Sequence, residues 1–217
     1  MNIIFVSPPL AGKGTQSNNL KNILGIPHIS TGQLLRNIVK KKNELSDSIQ
    51  KIMDEGKLVS DSLMEELIKI RIIKKDCEKG YILDGFPRNV MQAKIYDELL
   101  KSLGQTLDYV FVLDVSFETA LKRLNGRLSC SKCGAIYNNL ISKSSLENLC
   151  HVCKNPLVQR EDDKEGTLEV RFKQYEEKTK PLIKYYMNQN KVYKLDSSKD
   201  SSLVTKDILN ILGEKYD

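Results

Sequence analysis

Histidine is scarce in this 217-residue chain, which carries only His28 and His151. No serine, histidine and aspartate arrangement is found around them, so no hydrolytic triad offers itself as the source of its chemistry. Long apolar runs are missing as well, and nothing approaches the roughly 18 residues that a membrane-spanning helix needs. The chain runs from Met1 straight into the apolar NIIFV, with no basic leader segment, which makes the cytoplasm the expected location. A dense basic stripe that would announce nucleic-acid binding is also lacking: 34 Lys and Arg stand against 28 Asp and Glu, a net charge of +6, compatible with anionic partners, a phosphorylated small molecule among them. There is no internal repeat and no long low-complexity tract.

What is present reads as a globular α/β chain. Hydrophobic residues make up 40% and charged residues 29%, enough for one sizeable core with small inserts. Strand-like runs at 2–6, 81–86, 109–115 and 191–196, with a weaker one at 26–30, alternate with helical periodicity over 13–24, 31–42, 46–55, 60–75, 89–103, 116–126, 164–190 and 202–214. Such alternation predicts a parallel sheet covered by helices on both faces. Residues 30–59 hold more helix than a simple crossover requires and read as a helical insert. Residues 127–164 lose all apolar periodicity, so something other than packing must hold them.

The stretch SPPLAGKGT (7–15) follows the first strand and opens the first helix. In a phosphate loop, backbone N–H groups turn toward phosphate oxygens, the helix adds its positive end, and here Lys13 would reach the outer phosphates. The pattern G-x-x-x-x-G-K-[ST] is met only in part, because Ser7 stands for the first glycine and Gly14-Thr15 follows Lys13. The bland alternative is a tight strand-to-helix turn with Lys13 in solvent. Asp84, in DGFPR after the third strand, favours the phosphate reading, since a carboxylate at that sheet end can hold Mg²⁺ directly or through water.

Cys130, Cys133, Cys150 and Cys153 form a C-x2-C-x16-C-x2-C pattern. Four thiolates at this spacing can close a tetrahedral Zn²⁺ site that leaves no position for catalysis, so the metal is expected to be structural. Two disulfides or a nucleic-acid-binding zinc ribbon are the competing readings. Reducing conditions weigh against the first, and the lone aromatic Tyr137 weighs against the second. His28 and His151 are expected to be structural or exposed; His151 lies within the knuckle, but four cysteines already complete the set.

Taken in order, PPLAGKGTQ, HISTGQLLR, GKLVSD, GYILDGFPRNVMQA, RLNGR, QREDD and VRFKQYEEKTKPLI resemble the successive signatures of adenylate kinases, in the long-lid, zinc-containing branch. The resemblance implies a P-loop nucleoside-monophosphate kinase fold with a five-stranded parallel sheet. It implies a core of 1–29, 60–126 and 165–217, an acceptor-binding insert at 30–59, and a zinc-bearing lid at 127–164. It implies ATP, AMP and ADP as ligands, Mg²⁺ with the ATP, transfer of a phosphoryl group from ATP to AMP, and a monomer that binds neither nucleic acid nor membrane. Another donor or acceptor, such as GTP to AMP, and a non-catalytic nucleotide sensor or nucleic-acid-binding zinc protein remain as alternatives.

By the same resemblance, ATP would be met by Leu10, Ala11, Gly12, Lys13, Gly14 and Thr15, by Arg123 and Arg127, and by Ile136, Tyr137 and Lys199. AMP would be met by Thr31, Arg36, Lys57, Leu58, Val59, Gly85, Phe86, Pro87, Arg88 and Gln92, with Arg160 and Arg171 closing on the reacting region. The catalytic set is Lys13, Arg88, Arg123, Arg160 and Arg171, and Asp162 and Asp163 would gate the lid. Arginine fits because its planar fork binds phosphate in two places and stays charged. Arg123 and Arg127, four apart at a helix end, are expected to share one helix face. The family usually has glycine at positions 7 and 10, so Ser7 and Leu10 predict a working loop with altered affinity or closure, provided Leu10 needs no positive φ or tolerates the strain.

Overall fold

A computed structural model of the chain describes residues 1–41, 44–140, 148–160 and 163–214. Five strands form one parallel sheet in the order β2-β3-β1-β4-β8, comprising β1 (Asn2–Val6), β2 (His28–Ser30), β3 (Tyr81–Asp84), β4 (Tyr109–Asp114) and β8 (Val192–Asp196). The central strands are apolar without alternation because both of their faces are covered. In β1, Ile4 and Val6 enter one core and Ile3 and Phe5 the other; Tyr81 and Leu83 against Ile82, and Val110 and Val112 against Phe111 and Leu113, repeat the division.

Helices α1 (Lys13–Leu24), α4 (Asp61–Ile72), α5 (Val90–Ser102), α6 (Phe117–Asn125), α8 (Pro181–Met187) and α9 (Ser201–Leu212) accompany the sheet. Side chains of Ser30, Ser60, Asn89 and Ser116 accept from first-turn amides and fix where α2, α4, α5 and α6 begin. Helices α2 (Thr31–Val39) and α3 (Glu44–Asp54) make up the helical stretch between β2 and α4. Strands β5 (Arg127–Cys130), β6 (Ile136–Asn138) and β7 (Leu157–Val158) form a separate antiparallel sheet in the order β6-β5-β7. Helix α7 (Glu165–Gln174) returns the chain to the main body.

Three sequence expectations need correction. Strand β3 stops at Asp84, two residues short of 81–86, because Gly85 turns the chain with φ 89°. The single helix expected over 164–190 is broken: a wide turn at Tyr175–Thr179, closed by Lys180 N–H to the Tyr175 carbonyl at 2.8 Å, separates α7 from α8. Pro181 has no N–H to continue the ladder and its ring crowds the preceding turn, which accounts for the widening. Arg127 lies outside the helix that carries Arg123, since α6 ends at Asn125 and Arg127 starts β5. Any shared face arises from the helix-to-strand turn at Gly126, not from helical spacing.

Candidate functional site

The loop between β1 and α1 leaves the sheet at its carboxyl edge, beside Asp84 at the end of the neighbouring β3, where Phe5 pairs with Asp84. Strand order reverses there, the place where open parallel sheets gather ligands. Gly12 takes φ 89° as the residue before α1, so the first-turn amides of that helix open toward the cleft. Leu10 also has a positive φ, 60°. The strained alternative therefore applies to it, at a cost of about 1–2 kcal/mol that its packing against the second core offsets in part. Ser7 has no positive φ and is buried, so serine at that position costs no backbone strain.

Lys13 reaches back along the loop, and its Nζ donates to Ser7 Oγ at 2.9 Å and to the Pro8 carbonyl at 3.3 Å. Burial lowers its pKa to about 8; Asp84 opposes that shift, and the charges of Arg88, Arg127 and Arg171 add to it. Burial by itself would raise the Asp84 carboxyl. His28, whose Nε2 lies 3.4 Å from Oδ2, together with the charges of Lys13 and Arg88, outweighs burial and holds that group below the usual carboxylate range. Arg88 is depressed by burial and by Arg171. This mutual depression marks a crowd of positive charge around a single carboxylate, an environment that anionic phosphate relieves.

On the far side of Asp84, Thr31 Oγ1 donates to the Asp84 carbonyl at 3.2 Å, and a Cβ at Gly85 would come within 2.5 Å of the same hydroxyl, so this corner is built around glycine. Gln92 is oriented at both ends. Its Oε1 accepts from the Arg88 N–H and its Nε2 donates to Asp61 Oδ1, each at 2.7 Å. One lone pair and one N–H of the carboxamide are thereby used and the others remain, a complementary pair for a base edge. Arg88 is steadied by Nε to the Gly85 carbonyl at 2.8 Å, and Thr179, from the wide turn, donates to the Arg88 carbonyl at 2.8 Å.

A single cleft of about 1080 Å³ joins these groups. Its walls include Leu10, Ala11, Gly12, Lys13, Gly14, Thr15, Thr31, Arg36, Lys57, Leu58, Val59, Asp84, Gly85, Pro87, Arg88, Gln92, Arg123, Arg127, Ile136, Tyr137, Arg160, Arg171 and Lys199. Phe86 is the departure: its ring is buried in the first core, edge-on to Tyr96 at 5.8 Å, so it can offer the cleft only backbone. Asp163 is buried off the cleft and pairs with Arg127, Nε to Oδ2 at 2.7 Å with a second contact from Nη2 to Oδ1. Asp162 lies outside the described residues.

Two participants escaped the sequence reading. The Ser197 carbonyl accepts from Arg123 Nη2 at 2.6 Å while the Leu10 carbonyl accepts from Nη1 at 3.1 Å, so the loop after β8 helps aim this arginine. The only signal for Ser197 was its place after the last strand. His28, expected to be structural or exposed, takes a structural place between Asn18 and Asp84. Its position one strand away from Asp84 was invisible without the β2–β3 pairing.

The four cysteines converge in the small sheet, with all four Sγ atoms within 4.8 Å of one another. Cys130 and Cys153 approach to 3.4 Å and Cys133 and Cys150 to 3.5 Å, far beyond a disulfide. Four Zn–S bonds of about 2.3 Å would set thiolates roughly 3.7 Å apart, so the cage fits such a metal. The two halves are built alike: Gly134 N–H and Lys154 N–H return to the Cys130 and Cys150 carbonyls, and both residues take positive φ. A hydrogen bond with the Tyr137 hydroxyl, 3.4 Å away, pulls the Cys150 thiol down, whereas burial pushes the Cys133 thiol up.

Among the described residues no helix is long and apolar enough to cross a membrane. A sequence model of the adenylate kinase family matches residues 5–191. Relatives named adenylate kinase include one from Thermosipho melanesiensis, 45% identical over 98% of this chain and 99% of its own length. One from Fervidobacterium nodosum is 45% identical over 98% of each chain, and one from Archaeoglobus fulgidus is 43% identical over 98% of each. With a family match over residues 5–191 and relatives 45% identical along nearly the whole chain, the chain belongs to the adenylate kinase family.

Proposed function

We propose that this chain catalyses reversible, Mg²⁺-dependent transfer of the γ-phosphoryl group of ATP to AMP, yielding two ADP. The observation that carries the reading is one continuous cleft with the β1–α1 loop, the Thr31 and Gln92 corner, Lys13 and six arginines on its walls. An acceptor phosphate is already an oxyanion, so no general base is required; alignment, charge neutralisation and exclusion of water supply the catalysis. In this scheme Lys13 and the amides of Leu10 to Thr15 hold the donor phosphates with Arg123 and Arg127. Arg36 and Arg88 hold the acceptor phosphate, and Arg160 and Arg171 steady the group in transit.

Gln92 and Thr31 select adenine on the acceptor side, with Lys57, Leu58, Val59, Gly85, Pro87 and the Phe86 backbone around it. Ile136, Tyr137 and Lys199 flank the donor adenine. Mg²⁺ held at Asp84, directly or through water, would neutralise charge on the donor phosphates. Residues 30–59 act as the acceptor insert and 127–164 as a lid that excludes water, with Asp162 and Asp163 gating it. Structural zinc in the four-cysteine cage orders that lid, in a monomer working in the reducing cytoplasm.

The test is ADP formation from ATP and Mg²⁺ with AMP, GMP, CMP, UMP or water as acceptor, with Lys13→Ala in parallel. AMP-selective turnover that falls by at least about a hundredfold in the variant is expected. Nucleotide binding without turnover, or turnover indifferent to the acceptor, would overturn the reading.

A further inference from the structure

Where the family loop carries glycine, this chain carries Ser7, and its hydroxyl is fully committed. It donates to the Pro8 carbonyl at 2.8 Å, which turns its lone pairs toward Lys13, whose ammonium donates to Oγ at 2.9 Å. The Pro8 carbonyl accepts a second bond from the same ammonium at 3.3 Å. An ammonium has three donors, so this arrangement engages two and leaves one for a ligand in the cleft that Lys13 lines. Glycine at position 7 would leave the backbone path available but would remove one of the two holding groups. Ser7 itself is only 7% exposed, so water cannot readily take the place of its hydroxyl.

We propose that Ser7 is a positioning residue for phosphoryl transfer: its hydroxyl, oriented by the Pro8 carbonyl, fixes the Lys13 ammonium so that its remaining N–H meets the donor phosphates. The long lysine side chain then enters the reaction with little rotational freedom left to lose. This proposal rests on Lys13 acting as the phosphate-binding lysine. It also recasts the departure from the family loop: the glycine is missing, but a cation anchor has been gained.

The experiment measures ATP affinity by calorimetry, and kcat and KM in the AMP-dependent assay, for the parent, Ser7→Ala, Ser7→Gly, Ser7→Thr, Lys13→Ala and the Ser7→Ala, Lys13→Ala double variant. Loss of one hydrogen bond to a charged group is expected to lower kcat/KM for ATP by about tenfold or more in Ser7→Ala and Ser7→Gly. Ser7→Thr, which keeps the hydroxyl, should recover most of that loss. In the Lys13→Ala background, Ser7→Ala should leave ATP affinity where it already stands, because the group it positions is gone. An equal loss in both backgrounds would mean that Ser7 merely shapes the loop, and parent-like kinetics in Ser7→Ala would also overturn the proposal. If Lys13→Ala keeps parent affinity and turnover, the lysine assignment itself fails and this inference falls with it.

Discussion

Lys13 is the residue in which packing and chemistry meet. Its charge is disfavoured by the burial that places it among phosphate-seeking groups, and its pKa near 8 measures that tension. Phosphate binding restores the protonated form, so the free protein loses the proton at a lower pH than the complex does. Affinity for ATP without metal should therefore be flat below pH 8 and fall about tenfold per unit above it, until the pKa of the complex is reached. Calorimetric titrations from pH 7 to 10 check this, and an affinity constant across pH 8 to 10 would place the titration elsewhere. The sign for stability is opposite: the folded value lies below the unfolded one of about 10.4, so the penalty is full below pH 8 and is relieved as pH rises. At this scale motif spacing pointed to Lys13, Asp84 and the thiols, whereas Ser7 read only as a departure that alters affinity or closure, because spacing says nothing about where a hydroxyl points.

At the scale of elements, legibility followed burial. Strands β1, β3 and β4 are continuous apolar runs because each feeds two cores, and their bounds came within two residues of the structure. The wide turn at 175–179 was signalled only by Pro181, and its long-range bond from Thr179 to Arg88 left no mark in the sequence. The small sheet is the opposite of β1: among the described residues its cluster buries Leu157 with Cys130 and Cys150, and Leu128, Ala135, Tyr137 and Cys153 are only partly buried against them, a small apolar core for a sheet that a metal would reinforce. Zinc analysis should find about one ion per chain, and removal by a chelator should abolish amide protection in β5, β6 and β7 while β1, β3 and β4 keep theirs. Hydrogen exchange on metal-free protein reads this directly, and retained protection in β5 would show that packing suffices.

Across the whole molecule, the cysteine module touches the main body at the phosphate loop and at α2. Ile136 Cδ1 lies 3.0 Å from where a Gly14 Cβ would stand, which sets the small sheet over the phosphate loop. Arg127 and the buried Asp163 tie its two connections together. At α2, Lys40 Nζ from just beyond the helix donates to the Ser131 carbonyl at 2.9 Å, and Gly134 lies against Gln33. Helix α2 and the cysteine module thus meet through knuckle backbone that the metal cage would hold rigid. An exposed bond of this kind is worth no more than about 1 kcal/mol, which corresponds to roughly a fivefold bias toward closure. With ATP and AMP present, Lys40→Ala should therefore lower the closed-to-open ratio by up to about fivefold, read by energy transfer between dyes on α3 and near Val158. The melting temperature should stay put, because the lost contact lies outside both cores. An unchanged ratio would assign closure to the cleft cations and their ligands alone, and the Lys40 contact would then be a consequence of closing that contributes nothing to its energy.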